Sequence, residues 1–434
     1  MEYRYRLPFG DRRHYVDEED VAIVLSRLPE ELTRRIRAVH FTDEARGNRT
    51  LGYVSTRGRR EIALCALPPR VSLNHFVRQT QGALTFGAVR GTQWPALAVR
   101  RFMLYDVLLH EVGHLQVVDE GARRPQRRFA SETRAQDFAD SWRAELWSRS
   151  FVHPDPVHNP PGEEEVALLA LWPDAHEEYR RGLGAPDDVA RSHFRRAIEL
   201  FPEHAHALTE LATRLVREAL RRAPDGPRVE HARTRAAALL ERALRVDPTS
   251  FDANLRMGWN CGHLGRYDDA RRYLARALRH GRLSVAGLRA LGAAYAEWGF
   301  LVEAERFFAK GLARAPDDVR LLSWRARAVW DLGRGDQDVR RALELFERAV
   351  ECAPDDARAH FHLALALATI PGEVDRARHH VAIARALGPD DEDIAALDAR
   401  LIRPLAKGQR ARLQRETCEV RRFDRATGAV VLDR

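Results

Sequence analysis

The sequence of 434 residues is poor in lysine and in cysteine, and it lacks long apolar runs. Lysine occurs only at Lys310 and Lys407, so nearly all of the 71 basic residues are arginine. The four cysteines are widely spaced, at Cys65, Cys261, Cys352 and Cys418. Scattered cysteines argue against a disulfide framework and against cysteine ligation of a metal, and they favour a reducing compartment.

No stretch of eighteen consecutive apolar residues occurs, and the first residues, Met-Glu-Tyr-Arg-Tyr-Arg, contain no apolar segment. The sequence therefore predicts neither a membrane span nor a signal peptide. Apolar residues make up 45% of the chain and charged residues 31%, as in ordinary globular proteins. We expect a cytoplasmic protein of two or three domains.

The net charge of +8 raises the question of nucleic-acid binding. Most arginines alternate with aspartate and glutamate on predicted helix faces and form no basic block. We therefore expect no nucleic-acid partner and no membrane partner.

The most informative stretch runs from Leu104 to Asp119 and contains His-Glu-Val-Gly-His. Its apolar residues recur at helical spacing, so His110 and His114 project from one face of a helix and can hold one divalent ion. Glu111 lies one position around the helix, within reach of the water that such an ion activates. The alternative is a surface helix with two solvated histidines.

Catalytic zinc takes three protein ligands, and Glu132 is the best candidate for the third. Apolar residues after it predict a second amphipathic helix, with Ser131 as the N-cap. Close packing of Ala135 and Ala139 against the first helix would bring the Glu132 carboxylate to the metal.

Residues 95 to 145 resemble the gluzincin zinc metallopeptidases, and the Glu-x-x-Ala-x-x-Phe-Ala pattern from Glu132 is similar to the ImmA/IrrE-like members. Metzincins fit less well, because Val117 and Glu120 stand where they have glycine and histidine. SprT-like proteases use a third histidine soon after the helix, which is missing here. Thermolysin-like members carry an aspartate at the position of Gln136, so the resemblance does not assign the residue that orients the histidines.

The resemblance implies an α+β zincin-like domain over residues 1–150, with zinc held by His110, His114 and Glu132. It also implies an edge strand that pairs with the substrate backbone, and residues 83–89 are the candidate for this strand or for a plain connecting loop. Tyr105, His153 and His158 are candidate donors to a developing oxyanion, with burial in a core or solvation in a linker as the alternative. The remaining elements predicted before the metal-binding helix are a helix over residues 17–28 and strands over residues 38–41, 50–54 and 61–67.

From about Pro186 the sequence becomes periodic. Pro248, Arg282 and Pro316 follow one another at intervals of 34 residues, which is the tetratricopeptide (TPR) period. Small residues such as Gly258 and Gly292 recur where paired helices approach each other. The region resembles five TPR repeats preceded by a degenerate one, and this resemblance implies an α-solenoid over residues 186–404 that binds a protein partner.

The repeat positions that face the groove of such a solenoid hold aromatic residues and arginines: Trp259, Arg289, Arg327, Trp330 and Phe361. We expect this groove to take an acidic or aromatic peptide segment. The alternative is that these side chains cover neighbouring helices.

The sequence thus predicts a mainly α protein with a linker and a degenerate first repeat helix over residues 151–185 and a β-hairpin in residues 405–434, turning at residues 424–428. The preferred hypothesis is a zinc-dependent endopeptidase in which Glu111 is the general base and the repeats position a protein or peptide substrate. The alternative hypothesis is a non-catalytic TPR adaptor whose metal domain is structural or inactive.

Overall fold

The structure is a computed structural model. It describes residues 1–6, 8, 12–43, 50–55, 60–68, 72–73, 76, 82–116, 125–148, 152–222, 226–281, 283–333, 335–402, 422–423 and 430–431. The described residues fall into two compact units, 1–282 and 283–434. None of the described helices is both long and apolar enough to cross a membrane.

The N-terminal part of the first unit contains a four-stranded mixed sheet with the order β1-β2-β4-β3. Its strands are β1 (Glu2–Tyr5), β2 (Ala38–Thr42), β3 (Gly52–Ser55) and β4 (Glu61–Cys65). The first three in spatial order are parallel, and β3 pairs antiparallel with β4 at one edge. The sequence predicted β2, β3 and β4 but missed β1.

The N-terminal helices start where charge and capping favour them. Helix α1 (Glu18–Ser26) carries acidic residues in its first turn, and the Asp17 side chain accepts hydrogen bonds from the backbone N–H groups of Glu19 and Asp20. This confirms the predicted helix in that region. A single turn, α2 (Glu30–Thr33), follows before the sheet continues.

The predicted metal-binding helix consists of three consecutive segments, of which the middle one is π-helical and the other two are α-helical. Helix α3 (Ala96–Phe102) passes into a π-helical segment, Met103–Leu108, and then into α4 (Leu109–Gln116). Residues 117–124, which follow it, lie outside the described residues. A π-helical segment widens the turn and is common beside functional sites.

One local prediction in this domain is wrong, and one choice that the sequence left open, between an edge strand and a connecting loop, is decided against the strand. Helix α5 begins at Pro125 and runs to Ser148, so Ser131 lies inside the helix and does not cap it. The proposed edge strand over residues 83–89 is instead a 3-10 helix, Ala83–Phe86, followed by Gly87 with a φ of 87°. Phe86 is fully buried against Trp94 and Phe102, so aromatic packing determines the course of this segment.

The rest of the first unit is helical. A short connection through α6 leads to three antiparallel helix pairs, of which α7 and α8 form the degenerate first repeat. The helices are α6 (Glu163–Leu168), α7 (Trp172–Gly184), α8 (Asp187–Leu200), α9 (Ala205–Arg222), α10 (Pro227–Val246), α11 (Phe251–His263) and α12 (Tyr267–His280).

The second unit contains three further helix pairs and a final helix. They are α13 (Val285–Glu297), α14 (Leu301–Leu312), α15 (Val319–Leu332), α16 (Asp336–Cys352), α17 (Ala357–Leu367), α18 (Val374–Leu387) and α19 (Glu392–Ile402). Within a pair, glycine meets a large side chain: a Cβ on Gly292 would lie 2.4 Å from the Phe308 ring. This is the small-against-large packing that the sequence predicted.

The N-terminal domain and the first repeats lie in one compact unit, residues 1–282. Arg13 donates two hydrogen bonds to the fully buried Asp247, at 2.8 and 2.7 Å. Arg100 donates to the carbonyl of Val246 at 3.2 Å. The Arg100 contact joins the helix that carries the histidines to the end of α10, and the Arg13 contact joins the segment before α1 to Asp247, the residue that follows α10.

Near the C-terminus, β5 (Arg422–Phe423) pairs antiparallel with β6 (Val430–Val431). This confirms the predicted hairpin, although its turn, residues 424–428, lies outside the described residues.

Candidate metal centre

His110, His114 and Glu132 converge as the motif predicted. Their potential ligand atoms all lie within 4.8 Å of one another. The Glu132 Oε2 atom is 3.2 Å from His110 Nε2 and 3.4 Å from His114 Nε2. Hydrogen bonding to His110, and then to His114, holds the pKa of the Glu132 carboxyl well below its usual range.

The donor set fits zinc in both chemistry and spacing. Two imidazole nitrogens and one carboxylate oxygen are a ligand set of catalytic zinc sites. Ligands at about 2.0–2.1 Å in a tetrahedron are separated from each other by roughly 3.3 Å. The two nitrogen-to-oxygen distances of 3.2 and 3.4 Å match that separation.

Small residues allow the two ligand-bearing helices to approach closely. A Cβ on Gly113 would lie 2.9 Å from the Ala135 carbonyl oxygen and 3.0 Å from its Cα. Ala135 and Ala139 are fully buried. Helices α4 and α5 therefore pack backbone to backbone beside the histidines, which places Glu132 opposite them.

Gln136 is the residue that orients His110. Its Oε1 lies 3.1 Å from His110 Nδ1, while its amide nitrogen donates to Asp106 at 2.9 Å and to Asp140 at 3.2 Å. Donation to two carboxylates directs the amide oxygen toward the imidazole. His110 then carries its proton on Nδ1 and keeps the Nε2 lone pair for a metal.

Asp106 connects this chain of hydrogen bonds to a buried arginine. Arg143 donates to Asp106 at 3.1 Å and to Asp140 at 2.8 Å. Asp106 lies one turn before His110 in the π-helical segment, so that segment supplies the outer anchor of the site. The neighbouring Asp137 is exposed and takes no part in these hydrogen bonds.

Glu111 lies in a different environment from Glu132. Its residue is only 6% exposed, and burial raises the pKa of its carboxyl to about 7. Among the described residues, none donates a hydrogen bond to this carboxylate. A buried carboxyl group without a protein partner is uncommon outside functional sites.

Strand β3 lies directly beside Glu111. A Cβ on Gly52 would lie 2.9 Å from Val107 Cγ1 and 3.1 Å from Glu111 Oε1. Among the described strands, β3 lies at the edge of the sheet and pairs with β4 alone, and it lies beside Glu111, whereas residues 83–89 form no strand. The sequence signal for this contact was Gly52 within an apolar, β-branched stretch, because a glycine in a strand often marks the close approach of another group.

The candidate oxyanion donors lie away from the three ligands. Tyr105 and His158 are buried, and the Tyr105 hydroxyl is 3.1 Å from His158 Nδ1. Burial lowers the pKa of His158 to about 3. The Nδ1 atom of His153 accepts a hydrogen bond from the backbone N–H of Asp155. These contacts favour the alternative of a packing role over donation to an oxyanion.

A second group of potential ligands, Asp20, Asp155 and His158, also lies within 4.8 Å. Arg100 already donates to Asp20 at 2.7 Å and to Asp155 at 2.9 Å. A fully buried guanidinium in that position neutralises the carboxylates and repels a cation, so this cluster is structural.

The predicted groove arginines are engaged by carboxylates, in the next repeat for Arg289 and in the same helix for Arg327. Arg289 lies 3.2 Å from Asp318, and Arg327 donates to both carboxylate oxygens of Asp331 at 2.9 and 2.8 Å. Recognition of a ligand by either guanidinium would have to displace its partner.

The predicted groove aromatics contact other side chains. Phe361 is 8% exposed and belongs to a buried apolar cluster, against which Trp330 also packs. Trp259 is half-buried and donates from its indole nitrogen to His263 at 2.6 Å. The structure therefore favours a packing role for Phe361 and Trp330.

Comparison with known families identifies the helix pairs. Residues 230–294 and 334–392 match family models of the tetratricopeptide repeat. The chain contains TPR repeats. TPR modules mediate protein interaction, and this much of the predicted function is supported. No curated protein sequence matches the chain.

Solved structures give weak similarities to the TPR region. The chain is similar to YrrB, a TPR protein with an unusual peptide-binding site, at 19% identity over 48% of this chain and 97% of that one, with a TM-score of 0.36. It is similar to the type IV pilus biogenesis factor PilW at 20% identity over 53% of this chain and 98% of that one, with a TM-score of 0.40. The Pseudomonas aeruginosa protein pilF shows 17% identity over 55% of this chain and 100% of that one, with a TM-score of 0.38.

Proposed function

We propose that this chain binds a protein partner through its TPR repeats and that its N-terminal domain is a zinc-dependent endopeptidase of the gluzincin type. The interaction role is supported by the family matches of the repeats. The peptidase role is carried by one observation, the meeting of His110, His114 and Glu132 at tetrahedral spacing beside the buried Glu111.

In this proposal His110, His114 and Glu132 hold the zinc ion. Zinc at such a site supplies Lewis acidity, which makes a water acidic and polarises the scissile carbonyl. Glu111 takes the proton from the attacking water and transfers it to the leaving amine. Its pKa of about 7 suits both steps at neutral pH.

The geometry also supports a binding mode for the substrate. Within the part of the chain that the structure describes, strand β3 pairs on one side only, and it lies next to Glu111 at Gly52. We propose that an extended substrate adds to this edge through main-chain hydrogen bonds, which requires no particular side chain in the substrate.

Substitution of Glu111 by Gln tests the catalytic assignment. With denatured casein as the substrate, Glu111→Gln is expected to lower the hydrolysis rate by at least about a hundredfold, because the general base is lost while both histidines and Glu132 remain. Elemental analysis should still find one zinc ion per chain. The control is Glu164→Gln, the same change at an exposed position of α6, which should keep the parental rate.

Parental hydrolysis by Glu111→Gln would contradict the proposed role of this residue. Absence of zinc from the unaltered protein would contradict the metal site itself.

A second candidate function is a TPR adaptor whose metal site is structural or inactive. The specific observation in its favour is that the family matches, residues 230–294 and 334–392, lie within the repeats. The adaptor is supported if the purified protein contains stoichiometric zinc but cleaves neither casein nor its protein partner. Hydrolysis that depends on Glu111 excludes it.

We also propose a cytoplasmic location. The described cysteines, Cys65, Cys261 and Cys352, are unpaired, and two of them are buried. Free buried thiols suit a reducing compartment. Fractionation of cells expressing the tagged full chain tests this proposal.

A further inference from the structure

The first unit contains a cavity outside the metal centre, between helices α8, α9 and α10. Its volume is about 260 Å³, and its floor is aliphatic, with Leu211 and Leu215 from α9 and Leu239 from α10. These leucines continue the small buried cluster around Phe194. The cavity is therefore an apolar recess that opens from the core of the first repeats.

Three arginines stand around this recess. Arg235 and Arg242 lie seven residues apart on α10, with Ala238 and Leu239 between them, so these four side chains share one helix face. Arg195 on α8 lines the same cavity. An apolar floor with cationic side chains around it is complementary to an apolar group flanked by anions.

The arginines are available for a ligand. Within the part of the chain that the structure describes, no carboxylate forms an ion pair with Arg195 or Arg235. Arg242 donates from one nitrogen to the Pro202 carbonyl at 2.8 Å and also interacts electrostatically with Glu203. Several other arginines of these helices are paired, as in Arg191 with Glu218. Arg195 and Arg235 thus present guanidinium groups beside the recess that no described carboxylate neutralises.

The size of the recess indicates what it holds. Pockets for drug-sized ligands occupy about 300–1,000 Å³, so a volume of about 260 Å³ suits one large side chain better than a whole small molecule or a long acyl chain. A single apolar anchor in a pocket, surrounded by charged contacts, is a common arrangement at protein interfaces.

We propose that this recess binds a partner segment in which one leucine, isoleucine or phenylalanine is flanked by aspartate and glutamate residues. The proposal rests on the proposed binding of a protein partner by the repeats, and it gives that partner a chemistry and a place. The anchor side chain enters between Leu211, Leu215 and Leu239. Its acidic neighbours pair with Arg195, Arg235 and Arg242.

The test is an array of twelve-residue peptides probed with the full-length protein. The peptides carry leucine, phenylalanine or serine at the centre and zero to six acidic residues around it. Binding is expected to require the apolar centre and to increase with the number of acidic residues. For the best peptide, fluorescence anisotropy should show that Arg195→Glu with Arg235→Glu weakens binding by at least about tenfold.

Two further variants separate the recess from general charge effects. Ala238→Trp places an indole at the exposed position between the arginines and should also weaken binding by at least about tenfold while the net charge stays the same. Arg256→Glu changes an exposed arginine on α11 that does not line the recess, and it should bind like the parent protein.

Several results would overturn the proposal. The first is peptide binding that does not depend on the acidic residues, and the second is equal peptide binding by the parent protein and the double glutamate variant. The third is binding of phosphatidylglycerol vesicles, but not of peptides, that depends on the same arginines. Zinc content and casein hydrolysis are measured on the same preparations. Failure of peptide binding with intact hydrolysis overturns this site alone, whereas peptide binding without zinc overturns the catalytic proposal alone.

Discussion

The two compact units bury very different kinds of side chain. Among the described residues of the second unit, the only buried polar side chains are Ser323 and His360. The first unit buries whole arginines, including Arg100 and Arg101, together with acidic residues such as Asp106 and Glu111. Burial of a charge is costly unless it is paired, so such groups are retained where they do more than fill space.

In the first unit several of these buried charges lie along one continuous helix, from α3 into the π-helical segment. Arg100 and Arg101 on α3 hold the linker through Asp155 and Glu165, and Arg100 also contacts α10 through the Val246 carbonyl. Further along the same continuous helix, Asp106 anchors Gln136. Within its described residues, the second unit packs mainly through matched small and large apolar residues.

The largest expected difference between the units concerns buried ion pairs. Burial alone would raise the pKa of Asp247, but the adjacent Arg13 lowers it, so the carboxylate stays charged and depends on this partner. Arg13→Ala leaves a buried charge unpaired and is expected to destabilise the first unit by about 3–5 kcal/mol. Urea unfolding followed by circular dichroism measures this loss.

The matched change in the second unit is Arg325→Ala. Arg325 pairs with Glu305 at 2.8 Å, but both side chains are 18% exposed, so the expected loss is about 1 kcal/mol. Equal losses for the two variants would show that burial does not distinguish the units.

The second prediction compares two glycines at helix contacts. Gly113 faces the backbone of Ala135, whereas Gly292 faces the movable ring of Phe308. Each change to alanine is expected to cost about 1–3 kcal/mol of stability. Only Gly113→Ala should also weaken zinc binding, because α5 must shift and carry Glu132 with it. Competition with a chromogenic chelator measures the affinity, and unchanged affinity would mean that close packing does not position the third ligand.

The third prediction concerns the outer hydrogen bonds of the metal site. Gln136→Ala removes the acceptor at His110 Nδ1 and is expected to weaken zinc binding by about 10- to 100-fold with little loss of helix content. Gln136→Glu should restore only part of the affinity, since it keeps an acceptor oxygen but sets a second carboxylate oxygen against Asp106 and Asp140. The control is Asp137→Ala, a change at the exposed neighbouring residue. A comparable loss of zinc affinity in this variant would contradict the role assigned to Gln136.

The smallest effect is expected in the repeats. Arg327 forms an exposed ion pair with Asp331 one helical turn away. Such pairs contribute about 0.3–0.5 kcal/mol, so Arg327→Ala should change the urea midpoint of the second unit only slightly. A loss above about 2 kcal/mol would show that the repeats also depend on charged groups.

Sequence reasoning was most successful where a contact is local. It found the helix of His110, Glu111 and His114, expected Glu132 to lie beside the two histidines, and found the TPR period. For residues 83–89 it left a strand and a connecting loop open, because apolar residues between two glycines fit a strand and a buried 3-10 turn equally well. It also began α5 too late, because Ser131 has the chemistry of an N-cap but lies within the helix.

By itself, the sequence determined which side chains share a helix face and where the helix pairs repeat, because both follow from spacings of a few residues to a few tens of residues. Only the tertiary structure decided that Gln136 orients His110, that Gly52 lies against Glu111, and that Arg13 meets Asp247, 234 residues away along the chain. Such pairings depend on how separate elements pack, and no local periodicity encodes the partner of a buried charge.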